Sequence, residues 1–433
     1  MSPEATGVAG IAALLLLFLL RVPIAFAMMI VGFGGFAALS GIAPALALLS
    51  QDLFDTFTSY PLSVIPMFIL MGSFAYASGI SERLFATAYA WFGGLRGGLT
   101  IATVIACAGF AAICGSTAAT AATMGKVALP EMKRYGYDDT LATCAVAAAG
   151  TLVILIQPST VFIVYAILTE ESIGKLFIAG IVPGLLLSLL FIATVALLCA
   201  RNPKLGPPGP ATTLAQKMKA TRGIVEAVLL FVLAIGGLML GWFSPTQAGA
   251  IGAGGALAIG LARRKLSWKG FVDAGREGLG TSCMVLFIIA GAIVFGHFMA
   301  VSKIPFALAD WVGELPLHRM AIMGVIIVIY FIGGFFMDSM ALIVVTLPIF
   351  YPVVRKLGFD PIWFGVMIVL LCEMGVITPP VGVNVFVIKG IAPDVPLYRI
   401  FRGIFPFLGA ITLLAVVTLL VPEIATFLPG LVK

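Results

Sequence analysis

Long uncharged stretches recur along the whole chain and are separated by short segments that hold most of the charges. In the first half they occupy residues 5–20, 22–41, 56–81, 97–125, 140–169 and 176–200. In the second half they occupy residues 224–241, 246–262, 278–301, 320–352, 361–390 and 403–421. A helix needs about 20 apolar residues to cross the hydrocarbon of a bilayer. The pattern therefore predicts an all-α polytopic membrane protein.

Composition agrees with this class and removes several others. The chain is 61% hydrophobic and 10% charged, with a mean hydropathy of +1.16, whereas soluble domains are about 25% charged. Its six cysteines lack Cys-x-x-Cys spacing and its two histidines lie far apart, so no disulfide framework or zinc site is expected. No phosphate-binding Gly-x-x-x-x-Gly-Lys motif occurs, which argues against ATP hydrolysis.

The basic residues predict how the chain is threaded through the membrane. If the stretches 97–125 and 320–352 are re-entrant hairpins, 19 of the 25 Lys and Arg residues fall on one face. The positive-inside rule makes that face cytoplasmic. The net charge of +6 is then a signature of topology, and no nucleic-acid partner is expected. Arg21, the first cation, follows the apolar stretch 5–20, so this stretch is predicted to be a retained helix.

An internal repeat relates the two halves of the chain. Residues 129–138 align with residues 351–360 at a shift of 222, and the same shift places Gln157-Pro158 on Pro379-Pro380 and Ser116 on Asp338. Each half then has five full spans and one hairpin. An odd number of crossings inverts the second half relative to the first, and inverted repeats with broken helices are typical of secondary transporters.

The repeat predicts the domain organisation. The first inverted repeat covers residues 1–200, with a hairpin at about 97–130 and a broken helix at about 140–169. A cytoplasmic, basic and proline-rich connector covers 201–223. The second repeat covers 224–433, with a hairpin at about 320–352 and a broken helix at about 361–390 that is interrupted at Gly375 and at 378–380. The basic segment 263–276 is predicted to be a loop between two of its spans. The amphipathic segments 82–95 and 304–318 are predicted to brace a moving domain from the interface.

Small and hydroxylated residues interrupt the apolar stretches at matching places in both halves. Broken helices expose backbone carbonyls, which together with Ser, Thr or Asp oxygens suit sodium, and exposed helix N-termini suit a carboxylate. Close helix packing through small residues is the alternative explanation of the stretch 112–126. Asp338 is predicted to bind a cation or to cap the helix that follows it, or to do both. Glu373 is open to three roles: proton carrier, cap partner or packing residue.

At these motifs the chain resembles the large membrane subunit of tripartite ATP-independent periplasmic (TRAP) transporters, and the resemblance extends over its full length. The resemblance rests on Gly115-Ser-Thr-Ala-Ala-Thr-Ala-Ala-Thr-Met-Gly125, Gly174-Lys-Leu-Phe-Ile-Ala-Gly-Ile-Val-Pro-Gly184, Thr346-Leu-Pro-Ile-Phe350, Ile377-Thr-Pro-Pro-Val-Gly382 and Lys389-Gly-Ile-Ala-Pro-Asp-Val-Pro396. Two departures concern the first broken helix: Gln157-Pro158 replaces the family's usual paired prolines, and Val153 stands where the family often has glycine.

The resemblance implies sodium-coupled uptake of an organic acid, such as a C4-dicarboxylate or a sugar acid, across the bacterial inner membrane by an elevator mechanism. It implies two partners, a periplasmic substrate-binding protein and a small four-helix membrane subunit that is expected to be a separate chain here. Sodium is the coupling ion and no organic cofactor is expected. The implied sodium ligands are Gly115, Ser116, Thr117, Gly150, Thr151, Pro158, Asp338, Ser339, Gly375, Thr378 and Pro379. The candidate substrate contacts are Ser159, Thr160, Glu373, Pro380 and Asn384.

Three other functions compete with this one. The first is a sodium/anion symporter of similar architecture that needs no binding protein, and the second is a channel. The third is an intramembrane enzyme that uses Asp338 and Glu373 as paired acids. The repeat argues against the enzyme, because the positions equivalent to these two carboxylates hold Ser116 and Thr151. A docking surface for a binding protein is expected in the outward loops around 42–60, 170–175 and 353–360.

Overall fold

A computed structural model describes residues 2–210 and 212–431, and every regular element in these ranges is helical. The all-α fold class is therefore confirmed. The first half contains α1 Pro3–Leu19, α2 Ile24–Ser40, α3 Ile42–Thr58, α4 Val64–Ala77, α5 Ile80–Phe92, α6 Gly98–Ala111, α7 Thr117–Arg134, α8 Asp139–Ala149, α9 Leu152–Leu155, α10 Thr160–Thr169, α11 Ile173–Ala179 and α12 Ile181–Arg201.

The second half continues the helical series after a short 3₁₀ turn at Pro203–Leu205. It contains α13 Leu214–Thr221, α14 Val225–Phe231, α15 Gly237–Met239, α16 Pro245–Ala262, α17 Trp268–Ser302, α18 Ile304–Glu314, α19 Arg319–Gly334, α20 Ser339–Lys356, α21 Pro361–Ile377, α22 Val383–Ile391, α23 Leu397–Leu420 and α24 Glu423–Leu431. A π-helical turn at Val232–Gly236 joins α14 to α15, so these two form one irregular helix.

Length and composition support the multi-pass prediction. Within the described residues, six helical segments are long and apolar enough to cross a membrane, or seven if the bent pair α3 and α4 forms one span. Shorter apolar helices of 10–17 residues include α6, α19 and α21. With 14 residues, α6 is roughly 21 Å long, less than the ~30 Å of hydrocarbon. That length suits one limb of the predicted hairpin.

Four features of the structure differ from the sequence prediction. The outward segment 42–60 was expected to be a loop, but it forms α3, which joins α4 at a bend of 54°. The connector contains a helix, α13. The basic segment before residue 278 was expected to be a loop, whereas α17 begins at Trp268 and runs for 35 residues. Gly375 was expected to break its helix, yet α21 continues through it to Ile377.

The first packing group consists of α1–α4, α16 and α17. Helix α17 packs on α2, α3 and α4, and α16 packs on α4. Glycine allows α2 and α17 to approach closely: a Cβ on Gly291 would lie 2.5 Å from the carbonyl oxygen of Ala25, and one on Gly32 would lie 2.8 Å from the backbone nitrogen of Phe295. Helices gain stability in a bilayer through this kind of close packing, because lipid tails are as apolar as the side chains.

The second packing group consists of α6–α10, α12 and α20–α23. Helix α6 packs on α7, α8 and α12, while α21 packs on α20, α22 and α23. Elements of both halves mix here, since α7 and α8 contact α22, and α10 contacts α20. Many of its residues lie in one large buried core, and α21 is buried from Ile362 to Ile377.

Elements at equivalent repeat positions have equivalent shapes. Helices α7 and α20 both have 18 residues, and the residues that precede them, Ser116 and Asp338, both act as N-caps. The peptide bonds at Gln157-Pro158 and Pro379-Pro380 are both cis. These parallels agree with the shift of 222 found in the sequence. The inverted orientation of the halves, and the domain limits that follow from it, stay predictions.

The connector is fastened to the first half. The backbone nitrogens of Gly97 and Gly209 donate to the carbonyls of Gly206 and Gly93, at 2.8 and 2.9 Å. The backbone nitrogen of Asp138 donates to the carbonyl of Leu205 at 3.0 Å. The predicted linker is therefore an ordered part of the fold that holds the end of α5 against the segment after α12.

Replacing Gly375 by alanine is expected to destabilise the protein. A Cβ at this position would lie 2.2 Å from the carbonyl oxygen of Gly334 on α19, and backbone atoms cannot move aside as a flexible side chain can. We expect a loss of about 3 kcal/mol, at the upper end of measured overpacking costs. The measurement is the melting temperature of purified Gly375→Ala in potassium chloride, where a lost sodium site would have no effect.

The matched control is Gly324→Ala on α19, where a Cβ would meet nothing within 4 Å. This variant should melt at the parent temperature or slightly above it, since alanine favours a helix by about 1 kcal/mol. Equal melting temperatures for the two variants would contradict the packing argument.

Candidate functional site

The first break in the second packing group lies between α6 and α7. Helix α6 ends at Ala111, and the chain turns through Ile113 and Cys114, whose backbone nitrogens both donate to the carbonyl of Phe110. Helix α7 starts at Thr117 because Ser116 adopts an extended conformation and its hydroxyl accepts from the nitrogen of Ala119 at 3.3 Å. This cap satisfies one of the backbone N–H groups left free at the start of a helix.

The second break, between α19 and α20, is built in the same way with a carboxylate as the cap. Helix α19 ends at Gly334, and the Oδ2 atom of Asp338 accepts from the nitrogen of Met340 at 3.1 Å. A negative charge is favourable at a helix N-terminus, where the helix dipole is positive. The capping role predicted for Asp338 is therefore confirmed. Its part in cation binding stays a prediction.

Both breaks face one cavity of about 530 Å³. Gly115, Ser116 and Thr117 line it from the first break, and Asp338, Ser339 and Met340 line it from the second. Its opposite wall belongs to α4 and α17 of the first packing group. The polar residues on that wall are Ser73, Tyr76, Glu277 and Thr281. The cavity thus lies between the two packing groups, and both ends of the repeat contribute to it.

The first broken helix lies beside the first break. The Thr160 hydroxyl donates to the carbonyl of Gly115 at 3.4 Å, which links α10 to the turn before α7. Gln157 fixes the bend: its Nε2 atom donates to the carbonyl of Leu155 at 3.1 Å, and its Oε1 atom accepts from the nitrogen of Ser159 at 2.9 Å. A side-chain amide at this position therefore replaces backbone hydrogen bonds that the broken helix lacks. Thr160 lines the cavity, whereas Pro158 and Ser159 do not.

None of the remaining six predicted sodium ligands lines the cavity: five of them are buried elsewhere in the protein, and Pro379 is exposed. The hydroxyl of Thr151 donates to the carbonyl of Ala148 at 2.8 Å, and that of Thr378 donates to the carbonyl of Met374 at 2.6 Å. The cavity lining does not include Gly150, Thr151, Pro158, Gly375, Thr378 or Pro379. Gly375 instead serves the close contact of α21 with α19. Five of the eleven predicted ligands, Gly115, Ser116, Thr117, Asp338 and Ser339, therefore meet in one place.

Two of the candidate substrate contacts are buried polar side chains with unsatisfied oxygens. Glu373 is fully buried in α21, and neither carboxylate oxygen has a hydrogen-bond partner among the residues that the structure describes. Asn384 is also fully buried; its amide nitrogen donates to the carbonyl of Ala147 at 3.1 Å, and its oxygen has no partner. Neither residue lines the cavity, and neither does Pro380. Of the five substrate candidates, only Thr160 faces it.

The structure adds charged cavity residues that the sequence analysis did not select. Lys126 lies on α7, nine residues beyond Thr117, and Glu277 lies nine residues after the start of α17. Lys126 was counted only as a topological cation, and Glu277 adjoins a basic segment that was taken for a loop. The sequence offered no helical signal for Lys126, because nine residues at about 100° each place it roughly half a turn from Thr117 on an ideal helix.

Comparison with known proteins places this site in context. The family profile described as "Tripartite ATP-independent periplasmic transporter, DctM component" matches residues 11–424. The chain is 38% identical over 387 residues to the C4-dicarboxylate TRAP transporter large permease protein DctM of Pseudomonas aeruginosa, which covers 88% of this chain and 89% of that protein. It is 37% identical over 403 residues to the isethionate TRAP transporter permease protein DctMQ of Oleidesulfovibrio alaskensis, covering 92% of this chain and 63% of that protein.

Among solved structures, the fold is similar to the YdaH transporter of Alcanivorax borkumensis. The TM-score is 0.67, and the alignment covers 94% of this chain and 97% of that chain. The sequence identity is 17%, so this similarity concerns the fold alone.

Replacing Glu373 by glutamine is expected to leave the melting temperature unchanged or to raise it. The amide keeps the shape of the carboxylate, and no partner is lost, because both oxygens lack one in the parent. Asp52 provides the contrast, since its Oδ2 atom contacts Nδ1 of His297 at 2.9 Å and its side chain is only 7% exposed. Asp52→Asn is expected to cost about 1 kcal/mol. Thermal melts of both variants test this, and a lower melting temperature for Glu373→Gln than for Asp52→Asn would show that Glu373 has a partner.

Proposed function

The chain belongs to the DctM-component family of tripartite ATP-independent periplasmic transporters, and from this membership we propose that it carries out sodium-coupled uptake of an organic acid. It is a multi-pass protein of the bacterial inner membrane. Its relatives are transporter permeases, which points to transport rather than to enzymatic turnover. The observation that carries the proposal is the cavity into which both helix breaks open.

Sodium coupling is supported by the oxygen atoms at the breaks. Sodium is a hard cation that prefers carbonyl, hydroxyl and carboxylate oxygens, and Ser116, Thr117, Asp338 and Ser339 supply these groups along one wall. The cap of Asp338 uses its Oδ2 atom, which leaves Oδ1 available to a cation. Thr120, one turn into α7, has a buried hydroxyl without a hydrogen-bond partner. We propose that these residues hold sodium. The six predicted ligands that do not line the cavity would contribute backbone carbonyls.

The lining of the cavity also suits a carboxylate-bearing solute. Among the described residues that line it, Lys126 is the only cation, and several hydroxyls accompany it, including those of Ser73, Tyr76 and Thr281. Helices α7 and α20 both begin at this cavity, and helix N-termini favour anions. The relatives named above are a C4-dicarboxylate transporter and an isethionate transporter, and both names refer to organic acids.

The position of the cavity supports the elevator mechanism. Its walls belong to different packing groups, so sliding one group past the other would change access to the cavity. Lys126 lies on the predicted cytoplasmic side, and Glu277 follows a basic segment assigned to that side. We propose that this conformation is inward-facing, that α1–α4, α16 and α17 form the scaffold, and that the second group carries the ligand.

Family membership also implies partners. TRAP permeases work with a small membrane subunit and a periplasmic substrate-binding protein, and we propose that this chain requires both. The apolar side chains exposed on the first packing group, such as Leu15, Leu19 and Phe26, are 50%, 81% and 52% exposed and suit contact with lipid or another membrane helix. A requirement for the binding protein distinguishes this proposal from a sodium/anion symporter of similar architecture.

The sodium site is tested by thermal melts of the purified protein in sodium chloride and in potassium chloride. A ligand that binds only the folded state adds about 2.7 kcal/mol at a hundredfold excess over its Kd. We expect a saturable, sodium-specific rise in the melting temperature of the parent. In Asp338→Ala the rise should be strongly reduced, and in Asp338→Asn it should be weaker than in the parent because the charge is lost but an oxygen remains.

The control for this experiment is Glu277→Gln, which removes a carboxylate from the opposite wall of the same cavity. Its sodium-dependent rise should equal that of the parent. If the parent melts at the same temperature in both salts while remaining well folded, the sodium sites are wrong. If Glu277→Gln and Asp338→Asn lose the rise equally, a general charge effect explains it.

Transport is tested in proteoliposomes that contain the protein together with its small membrane subunit. We expect uptake of the radiolabelled organic acid only when an inward sodium gradient and the loaded binding protein are both present. Rapid uptake of free substrate without the binding protein would favour the binding-protein-independent symporter. Flux that does not saturate with substrate and continues without sodium would favour a channel.

A further inference from the structure

An amphipathic helix with no assigned role lies next to the first helix of the second half. Helix α13 is followed by a 3₁₀ turn at Arg222–Ile224, and the chain then enters α14. In α13, positions 215, 218, 219 and 222 follow helical spacing and lie on one face. All four residues are exposed. This segment, residues 214–225, is called the elbow below.

The opposite face of the elbow is held by α5. Thr87 donates its hydroxyl to the carbonyl of Ala220 at 2.9 Å, and the Trp91 indole nitrogen donates to the hydroxyl of Thr221 at the same distance. The Lys217 ammonium lies 5.6 Å from the centre of the Trp91 ring, within the range of a cation–π contact. These contacts orient the elbow, so its outer face is presented in a fixed position.

The outer face combines apolar and basic groups around a hollow. Ala215, Met218, Lys219, Thr221, Arg222 and Val225 line a depression of about 480 Å³. Met218 and Val225 are 56% and 48% exposed, and Leu214 beside them is 70% exposed. Contiguous exposed apolar side chains of this kind mark surfaces that contact a partner or a membrane.

The charge of the elbow is unbalanced. In the part of the chain that the structure describes, no carboxylate lies within 4 Å of the Lys219 or Arg222 nitrogens. In contrast, Arg83 and Arg263 both contact the carboxylate of Glu226. The sequence has no Asp or Glu between Glu171 and Glu226, a stretch that includes Arg201, Lys204, Lys217, Lys219 and Arg222. Basic clusters next to a membrane helix attract anionic lipid head groups, by about 1 kcal/mol per cation.

We propose that the elbow is a binding site for one anionic phospholipid, with Lys219 and Arg222 on its phosphate and Met218 and Val225 against its acyl chains. Arg222 can form two parallel hydrogen bonds to phosphate, while Lys219 acts as a point charge. A bound lipid would secure the junction between the connector and α14 at the cytoplasmic surface. A free phosphate ion has the same charge but gains nothing from the apolar side of the hollow.

The test is site-specific cross-linking of the purified full-length protein with a photoreactive phosphatidylglycerol, followed by mass spectrometry of the peptide that contains residues 214–225. We expect saturable labelling that unlabelled phosphatidylglycerol displaces, while phosphatidylcholine and inorganic phosphate do not. Removing both cations in K219Q/R222Q should weaken binding by roughly thirtyfold. Met218→Gln should also weaken it, because the acyl contact becomes polar.

The charge-matched control is K265Q/K269Q, which removes two exposed cations from the basic segment that precedes and begins α17. Its labelling of the elbow should stay within twofold of the parent. Equal labelling of K219Q/R222Q and the control would overturn the proposal. It would also be overturned if inorganic phosphate displaced the photoreactive lipid and Met218→Gln did not weaken labelling, because the site would then bind free anions. Melting temperatures of all variants in zwitterionic detergent, measured without lipid, show whether each variant is folded. If K219Q/R222Q does not fold, Met218→Gln still tests the proposal, because it retains every charge.

Discussion

The need to satisfy backbone hydrogen bonds inside a bilayer shapes this protein more than any other constraint. A helix that stops within the hydrocarbon leaves free N–H and C=O groups, and no water is available to them. The chain interrupts its apolar helices at least four times, before α7, α10, α20 and α22, and at the first three of these helices a side chain pairs with the free end. Ser116, Ser159 and Asp338 each cap the helix that follows. Gln157 accepts and donates across the bend that precedes α10.

The same constraint fixes where a ligand can bind. Broken helices are tolerated only where protein surrounds them or a polar cavity adjoins them. Here the breaks before α7 and α20 share a cavity, the break before α10 is buried at 157–159, and the break before α22 is exposed at Pro379 and Pro380. Close packing makes the enclosure possible. Gly334 and Gly375 bring α19 and α21 into backbone contact beside the second break, and Gly32 and Gly291 do the same for α2 and α17. The helices on both sides of the cavity are therefore closely packed.

Sequence patterns predicted the multi-pass helical class and the residues that begin α7 and α20 at the two breaks. Hydrophobic stretches of this length and a repeat at a constant shift are signals that need no tertiary information. The errors arise where tertiary contacts decide. Helix α3 contains Asp52 and Asp55, which resemble loop residues, but Asp52 is buried against His297 of α17. Gly375 resembles a helix break in the sequence, yet α21 continues through it, and the glycine instead allows the backbone of Gly334 on α19 to approach closely. Glu277 could not be assigned to the cavity, since only the packing of α17 against α4 turns it inward.

The two breaks are equivalent in shape but differ in charge, and this difference bears on coupling. Ser116 and Asp338 occupy matching cap positions in one cavity, so only the second break contributes a carboxylate. Glu277 adds another carboxylate and Lys126 adds one cation, which gives the described lining a formal charge of −1. An organic acid would make this charge more negative, and charge is costly to move through hydrocarbon. Binding of cations beside Asp338 would offset that cost. A carrier with this lining therefore gains most from a coupling ion when its substrate is an anion, and the carboxylate at the second break is where that ion has the strongest electrostatic reason to bind.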